Sequence, residues 1–294
     1  MVRPKHFGFN QETASSNAFQ TYTVVAYVVS KAQTEFDKMV DVLQLKYIEV
    51  KVFEDSDQPL PDSVFPNNWI SHIPGGSLII YPMYTANRRA EVRSDIIEWC
   101  NETLNPTDIM DLTGNAEKNR FLEGTGSIVF NHENKVAYAC VSPRTNLDLL
   151  SNLTDRIGYS TVSFESVDLR GQQIYHTNVM MSIGRKLIMI CLDSIEDTLE
   201  RMMVKESLKN TGKSILKLSR GQLNAFAGNA LEVTNKSGDC FFVMSDTAYQ
   251  SLTPEQIQMI QENSEILPIS IPTIEQIGGG SVRCMMTGLF NYPR

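Results

Sequence analysis

The sequence predicts a single α/β domain over residues 1–294, made of five ββαβ-type units with fivefold pseudosymmetry. Helix-start signals recur at Ser30, Asn87, Ser142, Ser194 and Thr253. Their intervals, roughly 55 residues each, are the size of one supersecondary unit. Strand-like runs fill the same phase of every interval. No linker or low-complexity stretch divides the chain.

The five helices are read from their caps. Ser30 precedes residues 31–46, where Phe36, Met39, Val40 and Leu43 recur at helical spacing. Asn87 precedes 88–102, Ser142-Pro143 precedes 144–156, and Ser194 precedes 195–208. Thr253-Pro254-Glu255-Gln256 is a capping box. Such side chains accept hydrogen bonds from the free N–H groups of a first helical turn. Strands are expected before the helices at 22–29, 77–82, 135–141, 186–192 and 239–244, and after them at 47–53, 109–112, 161–167, 214–218 and 266–271. Shorter ones fit at 127–130, 178–183 and 230–234. Turn chemistry, as in Asn131-His132-Glu133-Asn134, separates several pairs. Units of this size cannot bury their apolar faces alone, so they are expected to pack about a common axis.

Composition narrows the function. A net charge of -8 gives no electrostatic reason to bind nucleic acid or an anionic membrane. No apolar run is long enough for a membrane span, and the first residues lack a signal-peptide core. The 5 cysteines are dispersed without a C-x-x-C pair, a poor disulfide framework and a poor zinc site. A cytoplasmic protein without metal or cofactor is the expectation. A homo-oligomer stays open.

The chemistry-bearing residues share one phase. Asn68, Glu123, His176, Asn229 and Cys284 each fall in a polar or glycine-rich loop, roughly 30–40 residues after a cap, so pseudosymmetry brings the five loops to one end of the axis. A thiolate is the reactive form of cysteine, and a nearby imidazolium favours it. Histidine shuttles protons near neutral pH. A carboxylate can orient either the histidine or substrate N–H groups. Gly278-Gly279-Gly280 lets backbone approach a ligand.

With Glu123-Gly124, Ser142-Pro143-Arg144-Thr145, His176 and Gly278 through Cys284 in this order, the sequence resembles the amidinotransferase and arginine-deiminase superfamily of guanidino-group-modifying enzymes, or penteins. The resemblance implies a five-bladed α/β propeller. It also implies a covalent mechanism in which Cys284 attacks the guanidino or ureido carbon and His176 is acid and base. Glu123 would hold substrate nitrogens and Arg144 the substrate carboxylate. Family members that bind a guanidinium carry carboxylates where this chain has Asn68, Gly126 and Asn178. Burying a cation without paired charge is costly, whereas a ureido group is neutral. The expected partner is therefore a small ureido or guanidino amino acid, with citrulline the leading substrate, hydrolysed to ornithine, ammonia and carbon dioxide. The opening segment, including Asn10 and Asn17, resembles a branch of bacterial citrulline hydrolases and is expected to form a polar lid. Deiminases or amidinotransferases acting on a true guanidinium, and non-catalytic binding propellers, are the alternatives.

Overall fold

The computed structural model describes residues 1–22 and 27–290. Its first unit holds β1 (Val2–Arg3), helix α1 (Val28–Leu45) and β2 (Phe53–Glu54), with β1 and β2 paired in parallel. The second unit is β3 (Ile70–His72), β4 (Ser77–Ile80), α2 (Ala86–Arg89), α3 (Ser94–Leu104) and β5 (Asp108–Asp111). The third runs α4 (Gly124–Ser127), β6 (Ile128–Asn131), β7 (Val136–Cys140), α5 (Leu147–Ile157) and β8 (Ser160–Phe164). The fourth repeats it as α6 (Thr177–Met180), β9 (Met181–Ile183), β10 (Leu187–Ile190), α7 (Thr198–Lys209) and β11 (Ser214–Lys217). The fifth is α8 (Arg220–Asn224), β12 (Leu231–Thr234), β13 (Cys240–Ser245), α9 (Asp246–Ser251), α10 (Pro254–Gln261) and β14 (Glu265–Ile269).

Units two to five share one sheet topology. The first strand lies antiparallel to the second, and the third pairs in parallel with the second. A parallel neighbour requires a crossover, and the intervening helix supplies it. The middle strand is covered on both faces, so it reads as a continuous apolar run; all four residues of β10 are buried. Helix α5 is typical of the covering layer. Asn146 caps it by accepting from the Leu149 amide, Leu149, Leu150 and Leu153 point inward, and Gly158 ends it in the left-handed region at φ 72°.

Short helical turns deliver the units to one another. A 3-10 turn, Pro66–Asn68, precedes β3, α4 precedes β6, α6 precedes β9, and a second 3-10 turn, Val282–Met285, follows β14. Gly124, at φ 45°, has Asn67 and Asn68 backbone oxygens where a Cβ would stand, at 2.4 and 2.8 Å. Only glycine permits so close an approach of unit three to unit two. Gly228 packs likewise on Val179 and Met180, and Gly278 on Phe65.

Several expected boundaries move. The strand at 22–29 lies partly outside the described residues, and Val28 and Val29 belong to α1, whose N-cap is Tyr27. Most of 47–53 is irregular, because only Phe53 reaches its partner β1. The expected helix at 88–102 is two helices, the second capped at Arg93. Ser142 and Pro143 do not start α5: Ser142 closes a tight bridge with Thr145, leaving Asn146 as cap. Ser194 sits in a 3-10 turn and Asp197 caps α7, because its carboxylate accepts from the Glu200 amide. The Thr253–Gln256 capping box is present as expected. His132 lies in the turn between β6 and β7 and is half-buried. It stacks on Phe130 and bonds the Tyr159 hydroxyl at 3.0 Å. No described helix is long and apolar enough to cross a membrane.

Candidate active site

Cys284 lies on the last 3-10 turn, 5% exposed. Two amides donate to its sulfur: Asn229 Nδ2 at 3.3 Å and Asn178 Nδ2 at 3.5 Å. Asn229 also donates to the Asn178 backbone carbonyl at 3.1 Å, tying the start of β12 to α6.

His176 is the N-cap residue of α6 and is buried. Its Nε2 lies 2.7 Å from Glu123 Oε2. An ionised carboxylate only accepts, so Nε2 carries the proton and Nδ1 holds the ring's lone pair. Burial lowers His176 to about 4, against the opposing pull of Glu123. Burial alone would push the Glu123 carboxyl up. The Arg144 guanidinium, His176 and Arg88 outweigh it and hold that group well below the usual carboxylate range. Both Glu123 oxygens have partners in the protein: Oε1 accepts from the Tyr84 amide at 2.9 Å, and Oε2 from His176 and, at 3.2 Å, Arg144. The carboxylate thus orients the imidazole and offers no free oxygen.

Arg144 is not a helix-surface residue; it is 2% exposed. It lies over the Tyr175 ring at 4.7 Å, and one terminal nitrogen donates to Ser16 Oγ at 2.6 Å. Its Nε has no protein partner. Asn68 Oδ1 accepts from Arg88 Nη1 at 2.8 Å, while Asn68 Nδ2 is buried and unpaired. Asn178 Oδ1 is also buried and unpaired. Gly126 makes space for Asn68 and His176: a Cβ there would stand 2.4 Å from Asn68 Nδ2 and 2.8 Å from His176 Cε1.

Cys284, His176, Arg144 and Asn68 line a small, partly open cleft with Gly278–Gly280, Phe65 of the Asn68 loop, and three residues that the sequence did not point to: Asp62, Arg88 and Tyr175. Asn17 closes it, with Nδ2 donating to the Gly278 and Gly279 carbonyls at 3.4 Å. Asn10 does not line the cavity. Its Nδ2 donates to Asp62 Oδ2 at 2.7 Å and its Oδ1 accepts from Asn87 Nδ2 at 2.7 Å, so it braces Asp62. Burial pushes the Asp62 carboxyl up, and its Oδ1 has no partner. Asp62 stands in a Pro-rich loop and Arg88 looks like a surface helix residue in sequence, so neither carries a local signal. A wider, open recess around Pro143, Asn146 and Asp148 has no thiol or imidazole among its lining residues. Among the described residues no group of His, Cys, Asp and Glu could hold a metal ion.

A buried thiol, an imidazole held by a carboxylate and a set of buried amides, delivered by successive ββαβ units, match the guanidino-group-modifying class to which the sequence order pointed. The chain belongs to the family of N,N dimethylarginine dimethylhydrolase, eukaryotic, which it matches over residues 3–291. No curated protein matches the sequence. Among solved structures, the fold is similar to apo ArgZ, an arginine dihydrolase from the ornithine–ammonia cycle in Cyanobacteria, with 16% identity and a TM-score of 0.76 over 97% of this chain and 39% of that one. It is similar to the N-terminal domain of ArgZ over 97% of this chain and 95% of that one, with 16% identity and a TM-score of 0.75. A dimethylarginine dimethylaminohydrolase adduct matches at 16% identity and a TM-score of 0.62, over 87% of this chain and 90% of that one. The chain thus spans about two-fifths of full-length ArgZ and nearly all of its N-terminal domain.

Proposed function

We propose that this protein is a cysteine-dependent hydrolase of a ureido amino acid, with citrulline as substrate. Asn68 carries the reading. Its oxygen is committed to a donor-only guanidinium, so it faces the cavity as a donor, Nδ2. Asn178, beside the Cys284 sulfur, has a buried, unpaired acceptor, Oδ1. A ureido group has both a carbonyl oxygen and N–H groups and satisfies this mixed pair, whereas a guanidinium has donors only. Beyond the reacting group, Asp62 Oδ1 and Arg144 Nε are unpaired and of opposite charge, suited to an ammonium and a carboxylate.

The proton inventory follows. With His176 neutral, the Cys284 thiol passes its proton to His176 Nδ1 as sulfur attacks the ureido carbon. The imidazolium returns that proton to the δ-nitrogen, the C–N bond breaks, and ornithine leaves an S-carbamoyl thioester. His176 then takes a proton from water as it attacks the thioester. Carbamate departs and falls to ammonia and carbon dioxide, and the thiol is restored. A variant of the ArgZ N-terminal domain has been captured covalently bonded to a reaction intermediate, which supports a covalent course here. We further propose that the five units close as a five-bladed propeller forming one domain. The approaches of unit three to two, five to four and Gly278 to Phe65 support that closure.

The second reading, hydrolysis of a guanidinium, is favoured by Asp62, a buried carboxylate on the cavity wall. The test is ammonia and ornithine release from citrulline, and ammonia release from arginine, with Cys284→Ala as control. Turnover of citrulline lost in the variant is expected. Turnover of arginine alone would overturn the ureido reading.

A further inference from the structure

We propose that Arg88, clamped by Glu91, is a positioning residue that fixes the hydrogen-bonding polarity of Asn68 and so determines whether the site accepts a carbonyl oxygen or an N–H group. The inference rests on the ureido reading above.

Arg88 lies within the single turn of α2 and is 3% exposed. Its Nε and Nη2 grip Glu91 through two bonds of 2.8 Å, and Nη2 also reaches the Phe65 carbonyl at 3.3 Å. That leaves Nη1, aimed at Asn68 Oδ1 at 2.8 Å. A guanidinium fork is planar and cannot accept, so a bidentate carboxylate on one edge fixes the direction of the other. A flipped Asn68 amide would set Nδ2 against Nη1, two donors facing each other in a buried site, and would lose a charge-assisted bond. The observed orientation is therefore imposed from behind. Glu91 has a second effect. It satisfies the Arg88 charge outside the cavity, so position 68 can be neutral without leaving a buried cation unpaired. Asp62 Oδ2, 3.8 Å from Arg88 Nε, adds to the same balance.

The test is the ratio of kcat/KM for citrulline to that for arginine. Arg88→Met alone would strand the Glu91 carboxylate, so the informative variant is Arg88→Met with Glu91→Met, which removes the buried pair together. The ratio is expected to fall by about tenfold or more, the scale of discrimination lost when a buried polar group no longer matches its ligand. Arg88→Lys, a rotatable point donor, should recover part of it. In an Asn68→Ala background the double methionine change should leave the ratio unmoved, since a residue acting through Asn68 has nothing left to orient. An unchanged ratio in an enzyme that cleaves citrulline, or the same fall in the Asn68→Ala background, overturns the inference alone. Wild-type protein that cleaves arginine only, or neither compound, overturns the ureido reading and the inference with it.

Discussion

His176 Nε2 and Glu123 Oε2 stand 2.7 Å apart in a site from which both side chains are withdrawn from solvent, yet burial still lowers His176 to about 4. The group is therefore the lone-pair base in the resting enzyme, not the imidazolium that sequence reasoning expected beside Cys284. Activity that needs neutral His176 should hold as pH falls from 7 and be lost with an acid limb near 4. A kcat/KM profile measures this, and a limb near 6.5 would contradict it.

Stability should follow the same proton balance. The folded protein holds His176 below its ordinary 6.5, so it binds fewer protons than the unfolded chain between 6.5 and about 4. Stability is full above that window and is lost as pH falls through it, by a few kcal/mol at most. His132, lowered to about 4 chiefly by burial, contributes in the same range. Glu123, held low by Arg144 in spite of burial, adds a further loss below its ordinary 4.5. Burial raises Glu91 to about 7, which acts in the opposite sense over the same range, so the His176 share is read as a difference: from pH 7 to 4, His176→Gln should lose less Tm than the wild type.

The sulfur's surroundings predict its reactivity. Asn229 and Asn178 donate through their amides to Cys284 Sγ and hold the sulfur in place. Asn229→Ala should slow iodoacetamide labelling of Cys284 at neutral pH several-fold, a hydrogen bond being worth roughly 0.5–1.5 kcal/mol. Mass spectrometry distinguishes Cys284 from the other four cysteines, which are also buried. Equal labelling would show that the amide does not poise the sulfur.

How far the sequence revealed this molecule depends on which forces left local traces. Strands β4, β7, β10 and β13 are legible because both faces are covered and their residues are almost all apolar, Ser77 and Ser245 standing at strand ends. The phase argument brought Asn68, Glu123, His176, Asn229 and Cys284 to one end of the units, because each sits on or beside the turn that enters or follows a sheet. Cap positions were less legible. Ser142 has the chemistry of a cap, but its hydroxyl donates to the Tyr175 carbonyl instead, a tertiary contact 33 residues away that no local pattern encodes. Asp62 and Arg88 were invisible for the same reason: charged side chains read as surface until their partners Asn10, Glu91 and Asn68 are known.

The opening segment predicts a gate. Ser16 Oγ accepts from Arg144, Asn17 donates to the Gly278 and Gly279 carbonyls, and the Asn87 amide and side chain hold Glu12 and Asn10. If these bonds gate the cleft, substrate enters as they open. Asn17→Ala removes two of the longer ones and should speed Cys284 alkylation several-fold, while raising KM for substrate because the closed state is less favoured. Unchanged rates in both assays would mean access lies elsewhere.

Gly126 gives the most severe expected loss. Its missing side chain is filled by Asn68 Nδ2 and the His176 ring, 2.4 and 2.8 Å from where a Cβ would stand. Neither neighbour is a free chain end: Asn68 is held by Arg88, and His176 by Glu123. Gly126→Ala must therefore push one of them off its partner. Overpacking of this kind costs about 1–3 kcal/mol of stability, and a displaced base or donor costs about a hundredfold in turnover. Circular dichroism with thermal melting and kcat measured on the same preparation separate the two effects. A folded Gly126→Ala protein with wild-type kcat would show that neither Asn68 Nδ2 nor His176 needs its observed position.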